Sequence, residues 1–116
     1  MMTTKKNNIV VLWTSGDPEV AEKVCLMYTE AAKKNRWFEQ VALVVWGPSA
    51  KLLSENQMLQ DEIRTIQDLG VQVEACKRCT DIYGVTDQFK KMNIDVKGMG
   101  DELSNYLKEG WHSLSF

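Results

Sequence analysis

No stretch of the 116-residue chain is apolar for long. The longest such runs, Ile9–Trp13 and Val41–Trp46, fall far short of the ~20 residues that span a bilayer, so no membrane segment is expected. The polar start, Met1 to Asn8, lacks the apolar stretch of a secretory signal peptide. Charge of one sign is missing too: 14 basic and 16 acidic residues leave a net charge of −2. Basic residues are not interleaved with aromatics along any one segment, which speaks against a nucleic-acid groove. Cysteine is scarce and odd in number, three residues in all. That is no disulfide framework, and without an export signal the expected setting is a reducing cytoplasm with free thiols. Repeats, low-complexity stretches and interdomain linkers are absent, so the chain is read as one domain, 1–116.

What is present alternates. Asn8–Thr14 is a short β-branched run of the kind that suits a strand covered on both faces. Asp17-Pro18 reads as a helix start, with a capping carboxylate and proline at the first position. Val20, Ala21, Val24, Cys25, Tyr28, Ala31 and Ala32 then recur at helical spacing. Phe38–Trp46 is a second strand, broken by Gly47-Pro48-Ser49. Helical spacing resumes through Leu52, Leu59, Ile63 and Ile66, with a break near Ser54–Asn56, and stops at Gly70. Val71–Ala75 is a third strand. Thereafter the elements shrink: a brief helix capped by Thr86, a short strand at Ile94–Val96, a turn at Gly98-Met99-Gly100, a helix opened by Asp101 and a last strand in Trp111–Phe116. The class is α/β: a three-layer sandwich around a mostly parallel sheet of about five strands, joined by right-handed crossovers.

In open parallel sheets, chemistry collects outside the carboxyl ends of the strands. Three segments end strands there: Thr14-Ser15-Gly16-Asp17, Trp46-Gly47-Pro48-Ser49 and Cys76-Lys77-Arg78-Cys79. The cysteine segment carries the most chemistry. Cys76 follows a strand directly, and a helix start with Lys77 and Arg78 beside it is a setting that favours the thiolate. Cys76–Cys79 is a C-x-x-C, open to three readings: a redox pair after a strand, half of a zinc site, or coincidence. Zinc needs about four ligands; Cys25 sits on an apolar helix stripe and His112 near the end, so no metal is expected. A hydroxyl-rich loop such as Thr14–Asp17 can hold a flavin phosphate, but Asp17 would repel phosphate and Pro18 lacks an N–H. No cofactor is expected. His112, with no serine or cysteine at a catalytic spacing, reads as an ordinary strand residue.

With these residues in place the chain resembles the DsrE/DsrF-like family of small sulfur-relay proteins. The resemblance rests on the first strand Ile9–Trp13, the Trp46-Gly47-Pro48-Ser49-Ala50 turn, Leu69-Gly70-Val71, and Cys76 straight after the strand that follows. Gly98-Met99-Gly100 and the closing Trp111–Phe116 also match. It implies a compact Rossmann-like or flavodoxin-like domain that forms homo-oligomers and holds no tightly bound cofactor. It also implies that Cys76 carries sulfur as a persulfide between donor and acceptor proteins.

The expected function is therefore a persulfide carrier, sulfurtransferase-like if catalytic. Cys76 is the sulfur acceptor, Cys79 a resolving thiol, and Lys77 and Arg78 electrostatic support. Thr14, Ser15, Asp17, Trp46, Gly47, Pro48 and Ser49 shape the pocket. Two other readings stand beside it: a thiol–disulfide redox protein using Cys76 and Cys79, and a non-enzymatic oligomeric module in which Cys76 lines a small-molecule pocket.

Overall fold

The computed structural model describes residues 7–116; the first six residues, including Lys5 and Lys6 of the polar start, lie outside them. Five strands, β1 (Asn8–Trp13), β2 (Gln40–Val45), β3 (Gln72–Cys76), β4 (Asp95–Lys97) and β5 (His112–Ser115), form one sheet. Their order is β4-β3-β2-β1-β5, and every neighbouring pair is parallel. The sheet is thus wholly parallel, where the sequence reading had it mostly so.

Strand alternation sorts the side chains into two layers. Ile9, Val11, Trp13, Val41, Leu43, Val45, Val73 and Ala75 point to one face, in the larger core. The helices covering them are α2 (Leu26–Lys34), α3 (Pro48–Glu55), α4 (Gln57–Asp68) and α6 (Thr86–Lys91), which contribute Leu26, Leu53, Leu59, Ile63, Ile66 and Phe89. Val10, Ala42, Val44 and Cys76 point to the other face. That face is covered by a single helix, α7 (Met99–Lys108), through Met99, Leu103 and Tyr106. The division follows from connectivity. The chain steps from β1 to β4 in one direction and then returns past all of them to β5. Right-handed crossovers in opposite directions place their helices on opposite faces.

Local signals are read out closely. Asp17 caps α1 (Pro18–Val20), its Oδ1 accepting from the N–H groups of Glu19 at 2.8 Å and Val20 at 3.3 Å. The helix then passes through a π-helical turn, Ala21–Cys25, before α2, with the N–H of Leu26 bonded to Ala21 O. Apolar spacing gave no sign of that turn. Asn56 separates α3 from α4 and accepts from Leu59 N at 3.0 Å. Gly70 follows α4 with φ +100, a conformation that strains any residue with a Cβ.

Three expectations need correcting. Thr86 is the first residue of α6 and does not cap it; its hydroxyl bonds to Thr80 and Asp81. Gly98-Met99-Gly100 is no free-standing turn, because Met99 already begins α7 and is buried. Correspondingly, Asp101 lies in the first turn of a helix begun two residues earlier.

Between α2 and α4 three carboxylates, Glu22, Glu30 and Glu62, line a cleft with Met27 and Met58. A hydrogen bond shared with Glu30, then partial burial, then the charges of Glu30 and Glu22 push the Glu62 carboxyl up from 4.5 to about 7. A carboxyl whose folded pKa is raised favours the fold while protonated, and that contribution is lost as pH rises through the folded value. Melting temperature should therefore fall between pH 4.5 and 7 through this group. Glu62→Gln should flatten that fall, melting with the wild type at the acid end and above it at the neutral end. Thermal denaturation of both proteins across the range checks it.

Candidate functional site

The reversal of the chain picks out one place on the sheet. From β3 the chain goes to α5 (Lys77–Tyr83) and α6, and α6 packs on the first face; from adjacent β4 it goes to α7 on the second. Ligands and chemistry in open parallel sheets favour the crevice between two neighbouring strands whose connections diverge in this way. Cys76, the last residue of β3, and Lys97, the last of β4, are register partners at that crevice. Paired positions on neighbouring strands lie about 4.8 Å apart with side chains on the same face.

Cys76 is also the N-cap of α5, with extended backbone and no side-chain capping bond. Its side chain sits under α7 with 7% of the residue exposed, packed in a small cluster with Val44, Met99 and Tyr106, flanked by Trp46 and Cys79. Cys79, one helical turn on, is the more open of the two thiols. Burial, then a hydrogen bond with the sulfur of Cys76, raise the pKa of Cys79; a backbone hydrogen bond from Gly47 and the charge of Arg78 oppose the rise. Cys79 therefore holds its proton more tightly than a free thiol. Cys25, on the far side of the sheet, is fully buried, and burial pushes its thiol up to about 12.

The three expected loops do meet, through their backbones. Trp46 N donates to Trp13 O at 3.0 Å and Ser49 N to Thr14 O at 3.1 Å. The buried Ser49 hydroxyl donates to Trp13 O at 2.5 Å and accepts from Trp46 N at 3.1 Å, so it ties strand ends together. Thr14 donates through Oγ1 to Phe116 O at 3.0 Å. Ser15 Oγ accepts from Asp17 N, and the Asp17 carboxylate caps α1. Gly47, at φ +74, makes the bend that brings its N–H to Cys79, and Pro48 packs against Gly16. Trp46 and Gly47 are thus beside the cysteines, while Thr14, Ser15, Asp17 and Ser49 have their polar atoms engaged in the scaffold. Lys77 is turned to solvent and paired with Asp81 at 2.7 Å; Arg78 is the one of the two whose charge bears on Cys79.

Sequence reading missed the polar cluster beneath Cys76. Glu74, two residues earlier on the same face, is fully buried. Its carboxylate accepts from Tyr106 OH at 2.6 Å, Gln72 Nε2 at 3.0 Å and Lys97 Nζ at 2.6 Å. Lys97 also meets Asp95 at 2.8 Å and Glu102 at 3.6 Å. Burial pulls the Lys97 pKa down, but hydrogen bonds and charge from Asp95 and Glu74 outweigh it and the net shift is upward. Burial and the hydrogen bond to Glu74 keep the Tyr106 phenol protonated well beyond its ordinary range. The signal available in the sequence was the break in the apolar run at Val73-Glu74-Ala75.

Two clefts of about 500 and 520 Å³ lie elsewhere, one along α4 and β4, the other the carboxylate cleft between α2 and α4. Cys76 lines neither; it lies at the carboxyl ends of β3 and β4, where α5 and α7 begin.

A parallel sheet in the order β4-β3-β2-β1-β5, with a C-x-x-C at the end of β3, defines a small thiol-bearing α/β domain. The sequence profile of the DsrE/DsrF-like family matches residues 7–116, and the chain belongs to that family. It is similar in structure to a conserved protein of unknown function, BT1422, from Bacteroides thetaiotaomicron, with a TM-score of 0.91 and 30% identity over 95% of both chains. The ychN protein from E. coli has the same fold, with a TM-score of 0.73 and 16% identity over 97% of this chain and 100% of that one. No curated protein matches the chain in sequence. No helix among the described residues is long and apolar enough to cross a membrane.

In the native protein, iodoacetamide at pH 7 should label Cys79 and Cys76 while Cys25 stays unmodified, because Cys25 is both sealed and held as the thiol. Peptide mass mapping after a timed exposure reads this directly. Labelling of Cys25 at the rate of Cys76 would contradict the burial described above.

Proposed function

We propose that the protein is a sulfur carrier that holds a sulfane sulfur on Cys76. The observation that carries this reading is the placing of Cys76 at the diverging ends of β3 and β4, with a second thiol, Cys79, packed beside it in the same cluster. Membership of the DsrE/DsrF-like family supports it. In the loading step the Cys76 thiolate attacks the outer sulfur of a donor persulfide, R–S–SH. A Cys76–sulfur bond forms, the donor's S–S bond breaks, and the donor leaves as its thiolate. Delivery is the same exchange in the other direction: an acceptor thiolate takes the outer sulfur and Cys76 is released.

Cys79 gives the site a second exit. Attack of its thiolate on the Cys76 sulfur of the persulfide would form a Cys76–Cys79 disulfide and expel HS⁻. That contact also favours a second reading, a thiol–disulfide protein that cycles between the dithiol and the disulfide. The raised pKa of Cys79 slows its own attack, which suits a carrier that must keep its sulfur until a partner arrives.

Incubation with a low-molecular-weight persulfide, followed by intact-mass measurement, separates the readings: gain of one sulfur for a carrier, loss of two hydrogens for a redox pair. Cys76→Ser should abolish sulfur gain with an unchanged circular dichroism spectrum. Cys79→Ser should still load and should hold the sulfur longer. Loading that survives Cys76→Ser overturns the assignment.

The same reading includes assembly into a homo-oligomer. Met27 and Met58, each more than half exposed, line one cleft between α2 and α4, an apolar pair of the kind that an interface covers. Sedimentation at micromolar concentration should give a multiple of the chain mass; a single monomer boundary would contradict it.

A further inference from the structure

We infer that Lys97 belongs to the reactive site, as the cation that meets the anionic sulfur on Cys76, with Glu74 and Tyr106 as the residues that position it. The inference deepens the sulfur-carrier reading and rests on it for the identity of the anion. Its geometry is independent of that reading.

Register comes first. Lys97 is the residue paired with Cys76 across the β3–β4 step, and among the described residues no other strand position on that face is basic. Lys77, adjacent in sequence, is drawn away to Asp81 on the outer side of α5. Arg78 is exposed one position further along the helix. The cation on the cysteine's own face therefore comes from β4, not from the C-x-x-C segment.

Burial comes second. A fully buried glutamate on a sheet face covered by one helix is costly, since desolvating an ion pair commonly exceeds what its attraction returns. An apolar residue at position 74 would fill the space under α7 as well for packing alone. Here the carboxylate is instead fully engaged by Tyr106, Gln72 and Lys97, and its effect is to hold one lysine, 30% exposed in its side chain, at the mouth of the crevice.

Space comes third. Gly98 and Gly100, on either side of buried Met99, have nothing within 4 Å of where a Cβ would sit, and neither has a positive φ that would call for glycine. Gly100 stands inside α7, where glycine is a poor helix former. The backbone that follows Lys97 is thus left uncovered at both glycines.

In the resting protein the Lys97 charge is shared with Glu74, Asp95 and Glu102. An added negative charge on the Cys76 sulfur gives the flexible lysine stem a further partner one strand spacing away. The other ionisable groups around Cys76 are Cys79 and Arg78 on α5 and Tyr106 on α7. Tyr106 stays neutral, so the balance at the thiol is set by Lys97 and Arg78 against Glu74, Asp95 and Glu102.

The test follows the pH dependence of Cys76 alkylation by iodoacetamide in the full chain, with peptide mapping to resolve the three cysteines. Lys97→Met should raise the midpoint for Cys76 by about one pH unit, and Lys97→Arg should restore it. Glu74→Gln, which frees the lysine from its buried partner, should lower it. The double variant Glu74→Gln/Lys97→Met buries no unpaired charge, so it guards against a misfolded single variant; its midpoint should lie above that of Glu74→Gln. Equal midpoints in those last two proteins, or a rise in Cys25 labelling that parallels Cys76, would overturn the inference and leave the cluster a packing device. Since alkylation needs no sulfur donor, a shifted midpoint without sulfur gain would leave Lys97 in place and remove the carrier reading instead.

Discussion

A parallel strand cannot be followed directly by its neighbour; the chain must cross back over a face of the sheet each time. Here three crossovers run one way and the fourth runs back to the opposite edge of the sheet. That one reversal leaves the second face to α7 alone, and it makes β3 and β4 the neighbouring strands whose exits part. The thin cover, the crevice, the burial of Glu74 under Tyr106 and the pairing of Cys76 with Lys97 all follow from it.

The site built there has an uneven charge distribution. Its thiols sit among apolar side chains from β2 and α7, and the ionic groups lie to the β4 side. The nearest sequence neighbour, Lys77, is spoken for by Asp81 at i+4, the ordinary spacing for a helical ion pair. The C-x-x-C loop therefore supplies the sulfur chemistry, and the electrostatics come mostly from a strand some twenty residues away.

Much of this was legible in the residues. Continuous apolar runs at Ile9–Trp13 and Val41–Val45 announce strands covered on both sides, and Asp17-Pro18, Asn56 and Gly70 mark helix ends by chemistry that acts within one turn. Cys76 at a strand end needed no more than the order of elements. What escaped depends on contacts between distant segments. Gln72 and Glu74 alternate with Val71, Val73 and Ala75, and nothing near them shows that Tyr106 will close over position 74. Lys97 closes a strand of three residues, too short to carry a pattern, and its register against Cys76 is fixed by the sheet. Gly98-Met99-Gly100 looks like a turn because two glycines argue against a helix; burial of Met99 overrides that local preference.

The carbonyl of Phe116 accepts from Thr14 N at 2.7 Å, Ser15 N at 3.1 Å and Thr14 Oγ1. The loop that follows β1 is thus fastened by residue 116, across a separation of 102 residues. During translation β1 has β2 as a partner as soon as both have left the ribosome, but its other edge and the loop beyond it stay open until β5 arrives. The loop that packs on Pro48 next to the thiol site is therefore among the last parts to set. A nascent chain stalled before β5 would show β1 with one edge unpaired, the form in which a parallel-sheet protein is most exposed to pairing with the wrong strand.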